Sequence, residues 1–320
     1  MKYLITGGCG FLGSSLARRL IREGARPVLL DVAPLGPMLQ DVRDRLDYVR
    51  GSQTNLSVVL NCLREHSVKG VFHLGGMLSA PSEQDPWSAF DVNVVGTYNV
   101  LEACRIAGVD QVVYGSTVAV YSRGIRTDFI DDDTLQRPTS MYGTTKVFGE
   151  LLGRFYRRKF GLDFRGVRIP SVVGPGAKTA HMSIYNAWAI EYPLRGKPYR
   201  LLCEPETRCP VIYFKDAARS LWELSQAPAS RIETVVYNLA GLTPAFSARE
   251  LVEHVRKRLP GADLDFRPDP LIVELLRELG RLRIVDDAAR SEWGWSARYG
   301  LAEMIEDFIQ EFSRHAAWYA

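Results

Sequence analysis

The sequence predicts an α/β fold, a doubly wound parallel sheet followed by a smaller C-terminal lobe. Three observations lead to this prediction. Through the first half of the 320-residue chain, short apolar runs alternate with helical patterns, which is typical of a parallel sheet covered by helices. A glycine-rich segment joins the first strand to the first helix. After Pro170 the alternation stops and loop-rich segments follow.

Each element of the first half has its own local signal. Short apolar runs predict strands at 3–6, 27–31, 70–74, 111–114 and 161–169. Apolar residues at helical spacing predict helices at 14–23, 56–65, 90–107 and 142–158. Gly24 is placed to end the first of these helices. This order of strands and helices predicts βαβ units.

The second half predicts a different organisation. Loops are expected at 174–176 and 193–205, a helix at 248–258, a short strand at 263–267 and a closing amphipathic helix at 301–312. We therefore expect residues 1–175 to form the sheet domain, with 211–238 returning to it. Residues 176–210 and 239–320 are expected to form the smaller lobe.

Composition and charge exclude several classes of protein. A net charge of +3 and the absence of a dense basic block argue against nucleic acid, since the cluster at Arg154, Arg157, Arg158 and Lys159 fits a solvated helix face. Apolar runs are too short for a membrane span, and Met1 leads directly into the first strand. We expect a cytoplasmic protein with five free cysteines and no metal site.

The glycine segment predicts a dinucleotide site. Gly7, Gly10 and Gly13 are spaced so that the chain turns tightly, approaches a pyrophosphate and packs closely against the strand. The intervening Phe11 and Leu12 open the helix, whose N-terminus attracts the phosphates. Asp31 follows at the end of the second strand, at about the ~20-residue spacing of a ribose-binding carboxylate.

Asp31 also indicates which cofactor binds. A carboxylate accepts hydrogen bonds from both ribose hydroxyls and repels a 2′-phosphate. The next residues, Val32, Ala33 and Pro34, include no arginine that would receive such a phosphate. The sequence therefore favours NAD over NADP.

A general base is predicted far downstream. Tyr142 and Lys146 are four residues apart on a predicted helix, so both side chains lie on one face. A phenol beside a fixed ammonium ionises more easily than a free phenol. Such a phenolate is suited to removing a proton from an alcohol.

In combination, the glycine spacing and the Tyr-x-x-x-Lys pair resemble the short-chain dehydrogenase/reductase superfamily. The chain length and the C-terminal lobe resemble its extended branch, the NAD-dependent epimerases and dehydratases. Further resemblance lies in His73 to Gly76, in the segment from Asn93 to Ala103 and in Ser116 to Tyr121. The resemblance implies a Rossmann-type sheet and covers essentially the whole chain.

The same resemblance implies roles for individual residues. Tyr142 would be the catalytic acid and base, Thr117 would hydrogen-bond the reacting oxygen, and Lys146 would bind the nicotinamide ribose and lower the tyrosine pKa. Asn93 would brace backbone near the site. Other cofactor contacts would come from Leu74, Gly75, Gly76, Ser116 and Ile169.

Within that branch, several motifs are similar to short-chain-type L-threonine 3-dehydrogenases. They include the segment around Ser79 and the run from Arg137 to Lys146. Ser171 stands where nucleotide-sugar enzymes usually carry Asn, and uncharged Cys209 stands where they carry Arg. Arg208, next to it, is a candidate for a substrate carboxylate, with a surface ion pair as the alternative. Threonine dehydrogenases, in turn, usually carry Gly at Ser171.

Three functions follow as hypotheses. The first is NAD-dependent oxidation of a secondary hydroxyl on a small, L-threonine-like substrate. The second is a nucleotide-sugar 4-epimerase or dehydratase with tightly bound NAD, and the third is an NAD-binding regulatory protein without turnover. Surplus apolar residues on helices 90–107 and 142–158 predict a homodimer through a four-helix bundle.

Overall fold

A seven-stranded sheet forms the centre of the molecule in the computed structural model, which describes residues 1–121, 125, 127, 129–178 and 181–319. The strands of the described chain, in order, are β1 (Lys2–Thr6), β2 (Arg26–Asp31), β3 (Asp47–Arg50), β4 (Gly70–His73), β5 (Gln111–Thr117), β6 (Phe129–Ile130), β7 (Asp163–Ile169), β8 (Ser171–Val173), β9 (Tyr199–Leu201), β10 (Val211–Tyr213), β11 (Val236–Asn238), β12 (Leu264–Phe266) and β13 (Arg283–Ile284).

Every strand of the main sheet runs parallel to its neighbours, in the order β11-β7-β5-β4-β1-β2-β3. The order reverses at the boundary between β1 and β4. The inner strands are almost wholly buried, which explains why they read as continuous apolar runs. The predicted doubly wound fold is confirmed.

Helices cover both faces of this sheet. The α-helices of the described chain are α1 (Phe11–Arg22), α2 (Leu56–Glu65), α3 (Ser79–Gln84), α4 (Pro86–Phe90), α5 (Gly96–Ala107), α6 (Met141–Phe160), α7 (Tyr185–Leu194), α8 (Phe214–Gln226), α9 (Ala248–Arg258), α10 (Pro270–Arg281), α11 (Asp287–Trp293) and α12 (Leu301–Arg314). Helices α1 and α8 pack together on one face, whereas α2, α5 and α6 line the other.

The second lobe has its own core, to which α7, α9, α10 and α12 contribute. Outside the main sheet, the strands of the described residues pair two at a time, β9 with β12, β13 with β6, and β8 with β10. The segment 211–238 supplies β10 and α8 and ends in β11, which pairs with β7 at the edge of the main sheet. No helix of the described residues is both long and apolar enough to cross a membrane.

The structure differs from the sequence predictions in a few elements. The segment 193–205, expected to be a loop, contains the end of α7 and all of β9. The predicted helix at 90–107 is interrupted by a π-helical turn at Asp91–Val95. Such turns insert one extra residue and often lie beside functional sites. Here the π turn presents Asn93 to the interior.

Candidate active site

The predicted site residues meet along one edge of the sheet. Because the strands are parallel, the carboxyl ends of β1, β2, β4, β5 and β7 share this edge. In register, Thr6 lies opposite His73, and Thr117 lies opposite the buried Ile169. The reversal of strand order between β1 and β4 opens a crevice there, where ligands of such sheets bind.

The glycine turn after β1 packs closely because glycine has no side chain. Gly7 has φ +66°, and a Cβ there would lie 2.8 Å from the Cα of Gly75. A Cβ on Gly13 would overlap the carbonyl oxygen of Gly7. Gly10 differs, because its Cβ would meet only that same oxygen, at 3.3 Å. The first and last glycines therefore allow backbone packing, and Gly10 leaves the cradle open.

Helix α1 begins in this cradle with an uncapped N-terminus. Its N-cap, Gly10, makes no side-chain capping bond, and the first turn carries no acidic residue. The first residues, Phe11 and Leu12, present backbone N–H groups, and the Phe11 ring packs 5.6 Å from that of Phe214. A helix end of this kind favours a bound anion. The open cradle and the uncapped helix fit the pyrophosphate of NAD.

The Asp31 carboxylate is held beside the glycine turn. Its Oδ2 accepts a hydrogen bond from the N–H of Cys9 at 2.9 Å, and its Oδ1 accepts one from Ala33, also at 2.9 Å. Each oxygen has further lone pairs, and the side chain is only partly buried. The Asp31 carboxylate is therefore held in place as an acceptor for the two hydroxyl groups of a ribose.

A buried chain of polar groups supports the loop after β4. The Oγ1 of Thr6 lies 2.7 Å from Nδ1 of His73 and accepts the N–H of Gly75 at 3.1 Å. Burial lowers the pKa of His73 to about 3, so the ring is neutral. Gln53, which the sequence reasoning did not assign to the site, donates to the carbonyl of Gly75 at 3.2 Å. Its position shortly after β3, at the carboxyl edge of the sheet, is the feature of the sequence that could have identified Gln53 as a site residue.

Asn93 braces the same loop, as expected from the resemblance. Its Oδ1 accepts the N–H of Met77 at 2.7 Å, and its Nδ2 donates to the Met77 carbonyl at 3.0 Å. The Nδ2 group also donates to Oγ1 of Thr145 at 3.1 Å. Asn93 thereby connects the backbone beyond Gly76 to helix α6.

Tyr142 lies in the first turn of α6, close to the end of β5. Ser140 caps the helix by accepting the N–H of Gly143 at 3.1 Å. The Oγ1 of Thr117 accepts the N–H of Ala119 at 3.2 Å. Burial raises the pKa of Tyr142 to about 12, and the nearby Thr117 hydroxyl acts in the opposite direction.

Lys146 is buried between the same strand and the loop after β4. Its Nζ donates to the carbonyl of Gly115 at 2.8 Å and lies 5.7 Å from the centre of the Tyr142 ring. A Cβ on Gly76 would lie 3.8 Å from this nitrogen. Burial lowers the pKa of Lys146 to about 8, against the opposing charge of Glu150. The expectation that Lys146 lowers the pKa of Tyr142 in the enzyme with bound cofactor stays a prediction.

Ser116 faces away from the crevice. Successive strand residues point to opposite faces, so Ser116 and Thr117 diverge. The Ser116 hydroxyl donates to the buried Glu150 carboxylate, which also binds Arg168 at 2.9 Å. The hydroxyl thus belongs to an interior ionic network. A cofactor contact by Ser116 stays a prediction, and the hydroxyl is already engaged with Glu150.

The predicted substrate residues lie in three places. Ser79 opens helix α3, just beyond the loop after β4. Ser171 begins β8, and its hydroxyl accepts a hydrogen bond from Ser183 at 2.8 Å. Arg208 is 46% exposed, hydrogen-bonds the carbonyl of Ala245 and lies 3.3 Å from Glu250. For Arg208, the alternative of a surface ion pair is the one that this geometry favours.

Comparison with known proteins agrees with this geometry. The family model described as the NAD dependent epimerase/dehydratase family matches residues 3–240. The mitochondrial L-threonine 3-dehydrogenase of Bos taurus is 29% identical over 322 residues, which cover 96% of this chain and 82% of that protein.

Solved structures agree in fold over nearly the whole chain. The holo form of an L-threonine dehydrogenase from Cupriavidus necator is 29% identical, with a TM-score of 0.89 over 98% of this chain and all of that one. A UDP-glucose 4-epimerase from Thermotoga maritima, 21% identical, shares the fold with a TM-score of 0.86 over 99% of this chain and 100% of that chain. The chain therefore belongs to the NAD-dependent epimerase/dehydratase family and is an NAD-dependent enzyme of the short-chain dehydrogenase/reductase type.

Proposed function

We propose that this enzyme is a dehydrogenase that oxidises the secondary hydroxyl of a small polar substrate such as L-threonine. The observation that carries the proposal is the grouping of Thr117, Tyr142 and Lys146 beside the loop after β4, which in turn packs against Gly7 of the glycine turn. The likeness to proteins named L-threonine 3-dehydrogenases supports it.

In this proposal the three side chains have different roles. Thr117 holds the substrate oxygen, and Tyr142, as phenolate, removes the hydroxyl proton. Protonated Lys146 stabilises the phenolate and binds the nicotinamide ribose. NAD, when bound, supplies the acceptor for the hydride that leaves the carbinol carbon. The substrate thus loses one hydride and one proton and becomes a ketone, which for L-threonine is 2-amino-3-ketobutyrate.

The residues that would hold the cofactor favour NAD. We assign the pyrophosphate to the turn from Gly7 to Gly13 and the ribose diol to Asp31. A 2′-phosphate would place two negative charges beside the Asp31 carboxylate, with Val32 and Pro34 nearby instead of a cation. NADP is therefore expected to bind much more weakly.

The nucleotide-sugar epimerase or dehydratase remains the alternative, because it would use the same three residues. Two features count against it. Cys209 is 2% exposed and uncharged, and Arg208 is engaged with Glu250, so the usual cation for a sugar diphosphate is lacking at this position. The hydroxyl of Ser171 is also already hydrogen-bonded to Ser183.

We further propose which parts of the chain bind NAD and the substrate, and how two subunits assemble. Residues 1–175 with 211–238 would bind NAD, while 176–210 and 239–320 would receive the substrate. A homodimer would form through α5 and α6 of each subunit, as a four-helix bundle. In support, large apolar side chains of these helices are exposed in the single chain, including Tyr98 at 46%, Leu151 at 59% and Phe155 at 43%.

A substrate screen followed by NADH absorbance tests the function. The panel contains L-threonine, other amino alcohols, hydroxy acids, and UDP- and dTDP-sugars. Net NADH from a small alcohol would support the dehydrogenase. Conversion of a nucleotide sugar without net NADH would replace it with the epimerase or dehydratase, and no turnover on any compound would favour the regulatory protein.

A further inference from the structure

One buried glutamine joins the end of β3 to two other segments beside the crevice. Gln53 is 7% exposed, and its Nε2 donates to the carbonyl of Val92, in the π turn, at 2.9 Å. The same nitrogen donates to the carbonyl of Gly75, in the loop after β4, at 3.2 Å. Because both neighbours are acceptors, the amide nitrogen faces them and the amide oxygen does not. Both amide hydrogens of Gln53 are therefore used.

Two glycines make room for this side chain. A Cβ on Gly75 would overlap Oε1 of Gln53, and a Cβ on Gly96 would lie 2.7 Å from its Cγ. Gly96 has a helical φ of −59° and opens α5, where alanine would ordinarily be more favourable than glycine. The contact with Gln53, and not the backbone conformation, accounts for a glycine at this position.

The π turn depends on the hydrogen bond from Gln53. In an α-helix the N–H of Gly96 would bond the carbonyl of Val92, four residues earlier. Here the Gly96 N–H bonds the carbonyl of Asp91, five residues earlier, and the Val92 carbonyl accepts from Gln53 instead. The Gln53 amide thus replaces a hydrogen bond that the π turn gives up.

The effect of this arrangement reaches Lys146. In the π turn, Oδ1 of Asn93 accepts the N–H of Met77 at 2.7 Å. A Cβ on Gly76 would lie 3.0 Å from this oxygen and 3.8 Å from Nζ of Lys146. The loop after β4, Asn93 and Lys146 are therefore packed against one another, and Gln53 holds the first two in place from the end of β3.

We propose that Gln53 is a positioning residue, whose amide holds the π turn and the loop after β4 together so that Asn93 and Lys146 keep their reactive arrangement. It acts through these groups and contacts no reacting atom. The inference rests on the proposed function for the role of Lys146, and it goes beyond that function by assigning a residue outside the group of Thr117, Tyr142 and Lys146.

The substitution Gln53→Met removes the two donated hydrogen bonds and keeps the length of the side chain. A misplacement of about 1 Å costs roughly 10²-fold in rate, so kcat with L-threonine should fall roughly 10- to 100-fold. The KM for L-threonine should change much less, because Gln53 makes no substrate contact.

Gln111→Met is the matched control. The Nε2 of Gln111 also donates to two acceptors, a carboxylate oxygen of Asp163 at 3.2 Å and the carbonyl of Ser225 at 3.1 Å. Gln111 begins β5, at the opposite edge of the sheet, so kcat should stay close to wild type. Equal losses of kcat in the two variants, or a wild-type kcat in Gln53→Met, would overturn the inference.

The variant Gln53→Glu keeps the shape and makes the donor depend on pH. A protonated carboxyl can donate one hydrogen bond, whereas a carboxylate donates none, and burial against two carbonyl oxygens raises the pKa of such a carboxyl. The ratio of its kcat to that of wild type at the same pH should therefore rise as the pH falls from about 9 to about 6. The ratio cancels the titration of Tyr142 and Lys146. A ratio that stays low and constant would overturn the inference.

Hydrogen–deuterium exchange gives a readout without turnover. In Gln53→Met, the amides of Met77 and Gly96 should exchange roughly tenfold faster or more, and in Gln111→Met they should exchange as in wild type. Unchanged exchange of both amides in Gln53→Met would overturn the inference. If wild type forms no NADH from L-threonine, the proposed function fails by itself, and kcat is then compared on the nucleotide sugar that the substrate screen converts.

Discussion

The nucleotide side of the crevice and the second lobe are stabilised in different ways. On the nucleotide side, one seven-stranded sheet and the side-chain-free positions Gly7 and Gly13 fix the backbone. In the lobe, strands of two or three residues pair two at a time, and the polar residues are positioned by one another, as Ser183 positions His181. The first region therefore tolerates little backbone change, whereas the second can vary its side chains more freely.

The largest effect is expected where the two regions meet, at Tyr142. Tyr142→Phe removes the ionisable oxygen and keeps the ring. General acid–base catalysis contributes roughly 10²- to 10⁴-fold, so kcat should fall by at least that factor while the Kd for NAD stays close to wild type. Stopped-flow kinetics and NAD titration measure both. Turnover within a few-fold of wild type would remove Tyr142 from the mechanism.

A pair of glycine substitutions tests whether backbone packing distinguishes the two regions. In Gly13→Ala the new Cβ overlaps the Gly7 oxygen, so the free energy of unfolding should fall by about 1–3 kcal/mol, with weaker NAD binding. Gly261 lies in the second lobe, and a Cβ added there would have no atom nearby. Gly261→Ala should therefore change the free energy of unfolding by less than about 0.5 kcal/mol. Urea unfolding of both variants measures the change in the free energy of unfolding, and equal losses in the two variants would contradict the comparison.

Cofactor selection should depend on a single carboxylate. In the wild type, NAD is expected to bind much better than NADP, and Asp31→Ala should narrow this preference roughly tenfold or more, since a charge-assisted hydrogen bond is lost. Calorimetric Kd values for both cofactors test the expectation. Equal affinities in the wild type would refute the role of Asp31.

The smallest expected effect concerns assembly. If exposed apolar side chains of α5 and α6 form the bundle, light scattering should give twice the mass of one chain. Leu151→Arg, at a position 59% exposed in the single chain, should then give monomers that keep their fold. A wild-type protein that is monomeric at micromolar concentration would assign this apolar surface to another purpose.

The same difference between the two regions explains which elements could be predicted from the sequence. Helices α2 and α9 match the predictions to the residue, because each has a local signal: Asn55 and Ser247 cap them, and apolar spacing defines their length. Strands β9 and β12 are three residues long and bond only to each other, across more than sixty residues of sequence. A local pattern carries no information about such a distant partner, so β9 was predicted as a loop.

Within the site, motif positions were predictable and side-chain orientations were not. The grouping of Tyr142 with Thr117 was implied by the resemblance to the short-chain dehydrogenase/reductase superfamily. That Ser116 binds Glu150, and Arg208 binds Glu250, depends on competing partners that only the folded chain brings together.

The central claim is that this chain moves a hydride from a substrate carbinol to NAD with net release of NADH. L-Threonine carrying deuterium at C3 tests it most directly, with mass spectrometry of the dinucleotide product. The account predicts one deuterium in each released NADH, and formation of this product that is slower by roughly 10²-fold or more with Tyr142→Phe. Labelled substrate that yields no deuterated NADH, or a nucleotide sugar that is converted without net NADH, would contradict it.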